Sequence, residues 1–413
     1  MQRRWFLASL TLLLMLLGTG SVAARQGIEP PTITSFYDAP ADFPQEPGSV
    51  IRYEPIHEAK AGDARIYRIL YTSTDLNGAP IAVSGALAIP AGDPPDGGFP
   101  LVASAHGMVG AARNCAPSLA LFQELDGQSF WSMQLEPYLN AGYAVVMPDY
   151  QGAGAAGPAS NVVGIVEAHD VLDAVRAARN FPDASISNET FLWGHSQGGH
   201  AALFTNALAA EYAPDITFSA TAVLAPAVDL HGIFSSILAS DKPVTRTILA
   251  LIVARAWTDT YPGQSLDDIL TFQGRAVIES AVDHFCVPWV GVPALLYEPH
   301  ALIESDALET WADLITTNTP GAQPQQPPIF IGHGEADDVI PIAGSQHYVE
   351  DLCAAGNSVQ FHTYPGATHF TVVPDATQDV LDFYAAVRAG TVPATSCNEP
   401  LASKANFNLV SPY

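Results

Sequence analysis

Apolar residues recur along this chain in two patterns, and the switch between them outlines the fold. Continuous apolar runs at residues 100–105 and 144–148 end directly at His106-Gly107 and Asp149-Tyr150, and further strand-like segments follow at 190–193, 328–332 and 359–364. Runs without alternation mark strands covered on both faces, as in a parallel sheet. Residues 66–73 and 81–90 are also strand-like, and Asn77-Gly78 between them is a hairpin signal. Residues 169–179 and 201–204 carry helical spacing. The first of these helices opens near Glu167, an acid where the helix dipole favours one. Strands alternating with helices predict an α/β fold: a mostly parallel sheet flanked by helices.

That alternation lapses between about residues 229 and 320. Helices are expected there instead, at 246–257 and 301–315, which reads as an insertion into a sheet protein. Residues 25–60, rich in proline and acids, read as an extended arm, and 323–328 as a short Pro/Gln linker. The expected division is therefore a leader (1–24), a core (25–228 and 321–413) and a helical insertion (229–320).

The leader sets the compartment. Arg3 and Arg4 precede an apolar run at 5–17, and the small residues Ser21, Val22, Ala23 and Ala24 follow. This is the layout of a secretory signal, with cleavage expected after Ala24 or, failing that, Ala23. The run is too short to cross a bilayer core of about 30 Å, which takes roughly 20 residues. Arg3-Arg4-Trp5-Phe6-Leu7 also resembles a twin-arginine signal, which leaves the export route open. No later segment reads as a membrane span, and a secreted, extracellular or periplasmic protein is expected.

Composition narrows the function classes. The chain has 413 residues with 16 Lys plus Arg against 42 Asp plus Glu, a formal charge of −26. Nucleic-acid binding needs a basic face, so it is excluded as the expected role. Hydrophobic residues at 48 % are far too many for a disordered chain. Four cysteines, Cys115, Cys286, Cys353 and Cys397, all follow the leader. An even count in an oxidising compartment favours two disulfides, and no Cys-x-x-Cys pair supports zinc. Of three connectivities, Cys115–Cys286 with Cys353–Cys397 is preferred, because the second bond closes a moderate loop near the C-terminus. The sequence by itself leaves the other two open.

Chemistry concentrates at Gly194-His195-Ser196-Gln197-Gly198-Gly199, between an expected strand and an expected helix. Gly-x-Ser-x-Gly in that context is the nucleophile elbow of an α/β-hydrolase, which makes Ser196 the candidate nucleophile. A serine hydroxyl needs a base, and the base an orienting carboxylate, each on a loop after a later strand. The loop after 328–332 carries Glu335, Asp337 and Asp338. Asp337 is preferred because it begins an Asp-x-x-Ile-Pro run, while Asp338 reads equally as a helix cap or loop carboxylate. The loop after 359–364 supplies His369 as base. His333 competes by position, His195 and His200 read as structural, and the His106 ring is expected against backbone. Two N–H donors must face the developing oxyanion. Gln197 is one, and Met108 in His106-Gly107-Met108-Val109-Gly110 is the first choice for the other. Neither a metal nor another cofactor is expected.

His106 to Gly110, followed by Asn114-Cys115-Ala116-Pro117-Ser118, resembles the bacterial branch of the secretory lipase family. Fungal members of that family include the lipase A type of Candida antarctica. The resemblance extends to the Gly-His-Ser-Gln-Gly-Gly elbow, the Asp337 and His369 loops and all four cysteines. It implies an α/β-hydrolase with a helical lid, hydrolysis of carboxylic esters including acylglycerols, and the disulfide pairing preferred above. Fungal members differ just before the Cys-Ala-Pro-Ser segment, where they carry an acidic residue near the oxyanion hole.

A secreted serine esterase or lipase is therefore expected. A peptidase or acyltransferase on the same scaffold, or a non-catalytic binding module, are the alternatives. An appended propeller would favour a peptidase, but 413 residues leave no room for one. A binding module would usually lose one of Ser196, Asp337 and His369. The insertion carries apolar stretches at Ile233-Phe234, Ile237-Leu238 and 248–253, which must be buried. They are expected to line an acyl pocket, with Phe234 and Ile252 on its wall. A packed subdomain without a role in substrate choice is the plainer alternative. The sequence is silent on oligomeric state.

Overall fold

A computed structural model describes residues 31–124, 128–240, 246–287, 296–324, 326–391 and 394–398, so the leader lies outside the described residues. Nine strands form one sheet: β1 (Val50–Pro55), β2 (Arg65–Thr74), β3 (Pro80–Ile89), β4 (Phe99–Ala105), β5 (Ala144–Pro148), β6 (Ile186–His195), β7 (Phe218–Leu224), β8 (Ile329–Gly334) and β9 (Val359–Tyr364). Their spatial order is β1-β2-β3-β5-β4-β6-β7-β8-β9. The first three strands and the β3–β5 pair run antiparallel. From β5 to β9 every neighbour is parallel.

Physical cause follows sequence closely here. Strands β4 and β5 are buried along their whole lengths, as continuous apolar runs require. The β2–β3 hairpin turns at Asn77-Gly78, where Gly78 sits at φ 78°. Helices α1 (Gly164–Arg179), α2 (Gln197–Tyr212), α3 (Leu230–Leu238), α4 (Thr247–Thr260), α5 (Phe272–Val277), α6 (Ala312–Thr317), α7 (Ile342–Ala354) and α8 (Val372–Arg388) fill the spaces between strands. One apolar cluster joins the sheet to α1, α2 and α7, and another joins its opposite side to α8. No helix among the described residues is long and apolar enough to cross a membrane.

The expected extended arm supplies Val50–Pro55 as the edge strand, paired with β2. Two expectations need correcting. Strand β7 is absent from the expected set. Its small residues Ser219, Ala220, Thr221 and Ala222 make a weak apolar signal, yet the strand lies between β6 and β8. The helix expected at 301–315 is broken into Pro299–Leu302, Ala307–Thr310 and α6. The Leu302 carbonyl accepts from the Thr271 N–H and the Glu304 N–H donates to Ile269, so pairing with a neighbouring segment overrides helical propensity at Ile303.

Helices α3 to α6 lie between β7 and β8, strands that are adjacent and parallel in the sheet. They share a separate apolar cluster containing Trp257, Leu251, Ile252 and Trp311. Disulfides join Cys115 to Cys286 and Cys353 to Cys397. The first ties the insertion to the segment that follows β4, where Val287 also donates its N–H to the Val109 carbonyl.

Candidate active site

Ser196 stands between β6 and α2 with φ 59° and ψ −122°, a backbone conformation few side-chain-bearing residues adopt. The tight turn forces its neighbours to be small. A Cβ on Gly194 would lie 2.1 Å from the Gly198 carbonyl oxygen, and one on Gly198 would lie 1.9 Å from that of Ala105. Hence the Gly-x-Ser-x-Gly pattern: a side chain at either glycine would collide with backbone.

The Ser196 hydroxyl lies 2.9 Å from His369 Nε2, and His369 Nδ1 lies 2.7 Å from Asp337 Oδ2. A carboxylate accepts, so Nδ1 carries the proton and Nε2 is free to accept from the serine. His369 is reached from the loop after β9 and Asp337 from the loop after β8. The other Asp337 oxygen accepts from the Val339 and Ile340 N–H groups, each at 2.8 Å. Burial alone would raise the Asp337 pKa. Hydrogen bonds from His333, His369 and the Ile340 N–H overcome that and hold it well below the usual carboxylate range. Asp338 stands beside it on the loop, without the contact to His369.

The remaining histidines divide by their partners. His333 is fully buried; its Nε2 lies 3.3 Å from Asp337 and 3.1 Å from the Ile340 carbonyl, while Nδ1 meets the Ser345 hydroxyl. It braces the acid and does not reach the serine. His195 donates from Nε2 to the His369 carbonyl at 2.8 Å, and burial followed by the nearby His369 pushes it down to about 3, so the ring stays neutral. The His106 ring nitrogens face the carbonyls of Gly107 and Asp149, and burial pushes that ring down to about 4.

The loop after β4 closes over the serine. A Cβ on Gly107 would lie 3.5 Å from Ser196 Cβ. The side chain of the next residue, Met108, packs against the apolar cluster of the insertion. Asp149, buried at the end of β5, accepts from the Ser84 and Ser118 hydroxyls and the Ser118 N–H, fixing the stretch after Cys115. Gln197 opens α2, so its N–H has no intrahelical acceptor. Its side chain is held by Glu167 and Asn161, two residues the sequence reading did not select. The available signal was an acid, Glu167, placed amid the small and apolar residues that open a helix.

One opening borders this arrangement and a second lies within the insertion. The first is a crevice lined by His106, Val109, Tyr150, Gln151, Asn161 and Gln197 among others. The second is a larger, partly open pocket walled entirely by apolar residues that include Phe234, Leu238, Ile269, Ile303 and Trp311. Ile252 is not on its wall; it is fully buried in the cluster behind. No group of three or more His, Cys, Asp or Glu among the described residues is arranged to hold a metal ion.

Comparison with known proteins agrees on the scaffold. The secretory lipase family model matches residues 130–384. Lipase A of Moesziomyces aphidis is 24 % identical, over 95 % of this chain and 88 % of its own length. Trichothecene C-3 esterase of Fusarium sporotrichioides is 26 % identical, over 88 % of this chain and 84 % of its own. Among solved structures, Candida antarctica lipase A in its closed state superposes with a TM-score of 0.74 at 23 % identity, covering 91 % of this chain and 90 % of that one.

Proposed function

The chain belongs to the secretory lipase family, and from that premise we propose that it is a secreted serine hydrolase of carboxylic esters. Ser196 Oγ attacks the ester carbonyl while His369 Nε2 takes its proton, and Asp337 holds the ring and stabilises the imidazolium. The tetrahedral oxyanion rests on the N–H groups of Gln197 and Met108. His369 returns its proton to the departing alcohol, and water then hydrolyses the acyl-enzyme by the same route. The observation that carries this reading is the hydrogen-bonded line from Ser196 through His369 to Asp337, at 2.9 and 2.7 Å.

Residues 229–320 act as a lid in this proposal, and the apolar cavity among their helices takes the acyl chain. Its supports are the wholly apolar wall and an apolar cluster that reaches Met108 and Val339 on the loops around the triad. Esters of long acyl chains, acylglycerols among them, are the substrate class. The purified protein should hydrolyse p-nitrophenyl esters and be labelled at Ser196 by an alkyl phosphonate. Ser196→Ala should lose both while keeping its fold, and turnover surviving in that variant would sink the mechanism.

A further inference from the structure

Beneath the first turn of α2 lies a hydrogen-bonded cluster closed off from solvent. Glu167 and His200, both fully buried, form its centre. Glu167 Oε1 accepts from the Val162 N–H at 2.8 Å and from Gln197 Nε2 at 2.7 Å. Its Oε2 lies 3.2 Å from His200 Nδ1, and His200 Nε2 lies 2.7 Å from the Asn318 carbonyl oxygen.

Counting donors fixes the protons. A backbone carbonyl only accepts, so His200 Nε2 carries an N–H aimed at Asn318. A neutral ring would then turn the Nδ1 lone pair toward a carboxylate oxygen, setting acceptor against acceptor. The contact is bonding only with a proton between the two atoms, held either by Glu167 as an acid or by His200 as an imidazolium. In both cases the pair is electrically neutral. Among the described residues His200 is the one ion-pair partner of Glu167, and Asp170, also fully buried, lies one helical turn further along α1. A bare carboxylate in that setting would be costly.

We propose that Glu167 is a positioning residue: sharing a proton with His200, it anchors the Gln197 side chain and so holds the N–H after Ser196 toward the oxyanion. The inference rests on the ester-hydrolysis reading above. Neutrality of the pair matters as much as the bond, because a net negative charge behind Gln197 would oppose the negative charge that develops in front of it. The same carboxyl restrains Val162, a β-branched residue at φ 58° whose carbonyl accepts from Trp257 Nε1 of α4. The Asn318 side chain accepts from the Gly164 N–H and the Tyr261 hydroxyl. The end of the insertion is thereby joined to the elbow through His200 and Asn318.

Glu167→Gln and Glu167→Ala separate the possibilities. A glutamine keeps an oxygen for Val162 and Gln197 and offers an N–H to a neutral His200, reproducing the proton-bearing pair. Per phosphonate-titrated serine, E167Q should keep kcat within about threefold of the parent. E167A should lose about tenfold or more in kcat with KM little changed, and should weaken an oxyanion-mimicking trifluoromethyl ketone in parallel. If E167A does not fold, Gln197→Met removes the anchor from the other side and should lower kcat in the same way. E167Q as impaired as E167A, or unchanged kcat in E167A or in Q197M, overturns the proposal. A parent that phosphonate fails to label would instead overturn the serine mechanism itself.

Discussion

The rim of the sheet and the helical insertion are built on different terms. At the rim, each group of the candidate triad sits on a turn or short loop just after a parallel strand: Ser196 after β6, Asp337 after β8 and His369 after β9. Strand ends are fixed by the sheet's register, so these side chains inherit its precision. The insertion has no sheet behind it. Apart from the 14-residue α4, its helices are short; they are held by side-chain packing around Trp257 and line an apolar pocket. In the proposed mechanism, chemistry rests on the rim of the sheet and substrate choice on the insertion.

Asp337→Asn should break the rim most severely. The amide favours the wrong His369 tautomer, and kcat should fall on the order of 10⁴-fold with the acyl-length profile unchanged. Steady-state kinetics on butyrate and palmitate esters check both; if Asp338→Asn is the damaging change, the acid is misassigned. In the insertion, Ile252→Ala should cost about 2–5 kcal/mol of stability, as expected for a buried core truncation, without altering the ratio of long- to short-chain activity. Phe234→Ala, on the cavity wall, should shift that ratio by the equivalent of about 1–3 kcal/mol. Denaturant unfolding together with an ester panel distinguishes the two, and identical losses on every chain length in F234A would make the insertion mere scaffold.

The last effect concerns pH. His195 has a pKa of about 3 in the folded protein against an ordinary 6.5, so the unfolded chain binds the proton first. Its contribution to stability is intact above pH 6.5 and falls as the pH drops toward 3, by roughly 1.4 kcal/mol per pH unit. Between pH 7 and pH 5 the stability advantage of the parent over His195→Gln should shrink by about 2 kcal/mol. Urea unfolding at the two values measures it, and a constant difference would mean that His195 is not held neutral.

The same contrast governs what could be read from sequence. Strands β4 and β5 announce themselves as continuous apolar runs, β8 and β9 as the late return of the strand–helix alternation, and the triad candidates lie on the turns and loops that follow such strands. Strand β7 hides because alanines and hydroxyl residues fill a slot between two other strands without long side chains. The break near Ile303 is invisible because its cause, pairing with residues 269–271, is remote in sequence. Glu167 looked like a helix-opening acid. Only the fold brings it beneath Gln197, 30 residues away, and against His200. The resemblance to a known family pointed to a lid, whereas Ile252 was placed on a pocket wall by hydrophobicity alone, which does not separate a wall from the packing behind it.

The two disulfides divide the site covalently. The ring closed by Cys115 and Cys286 contains Ser196, and the ring closed by Cys353 and Cys397 contains His369; Asp337 lies on the open chain between them. A protease cutting once inside either ring leaves every piece tethered under non-reducing conditions. A single cut between residues 287 and 352 leaves two pieces with no covalent link, one bearing the serine and the other the histidine. The stretch that presents the acid is thus also the only link of backbone between the two rings.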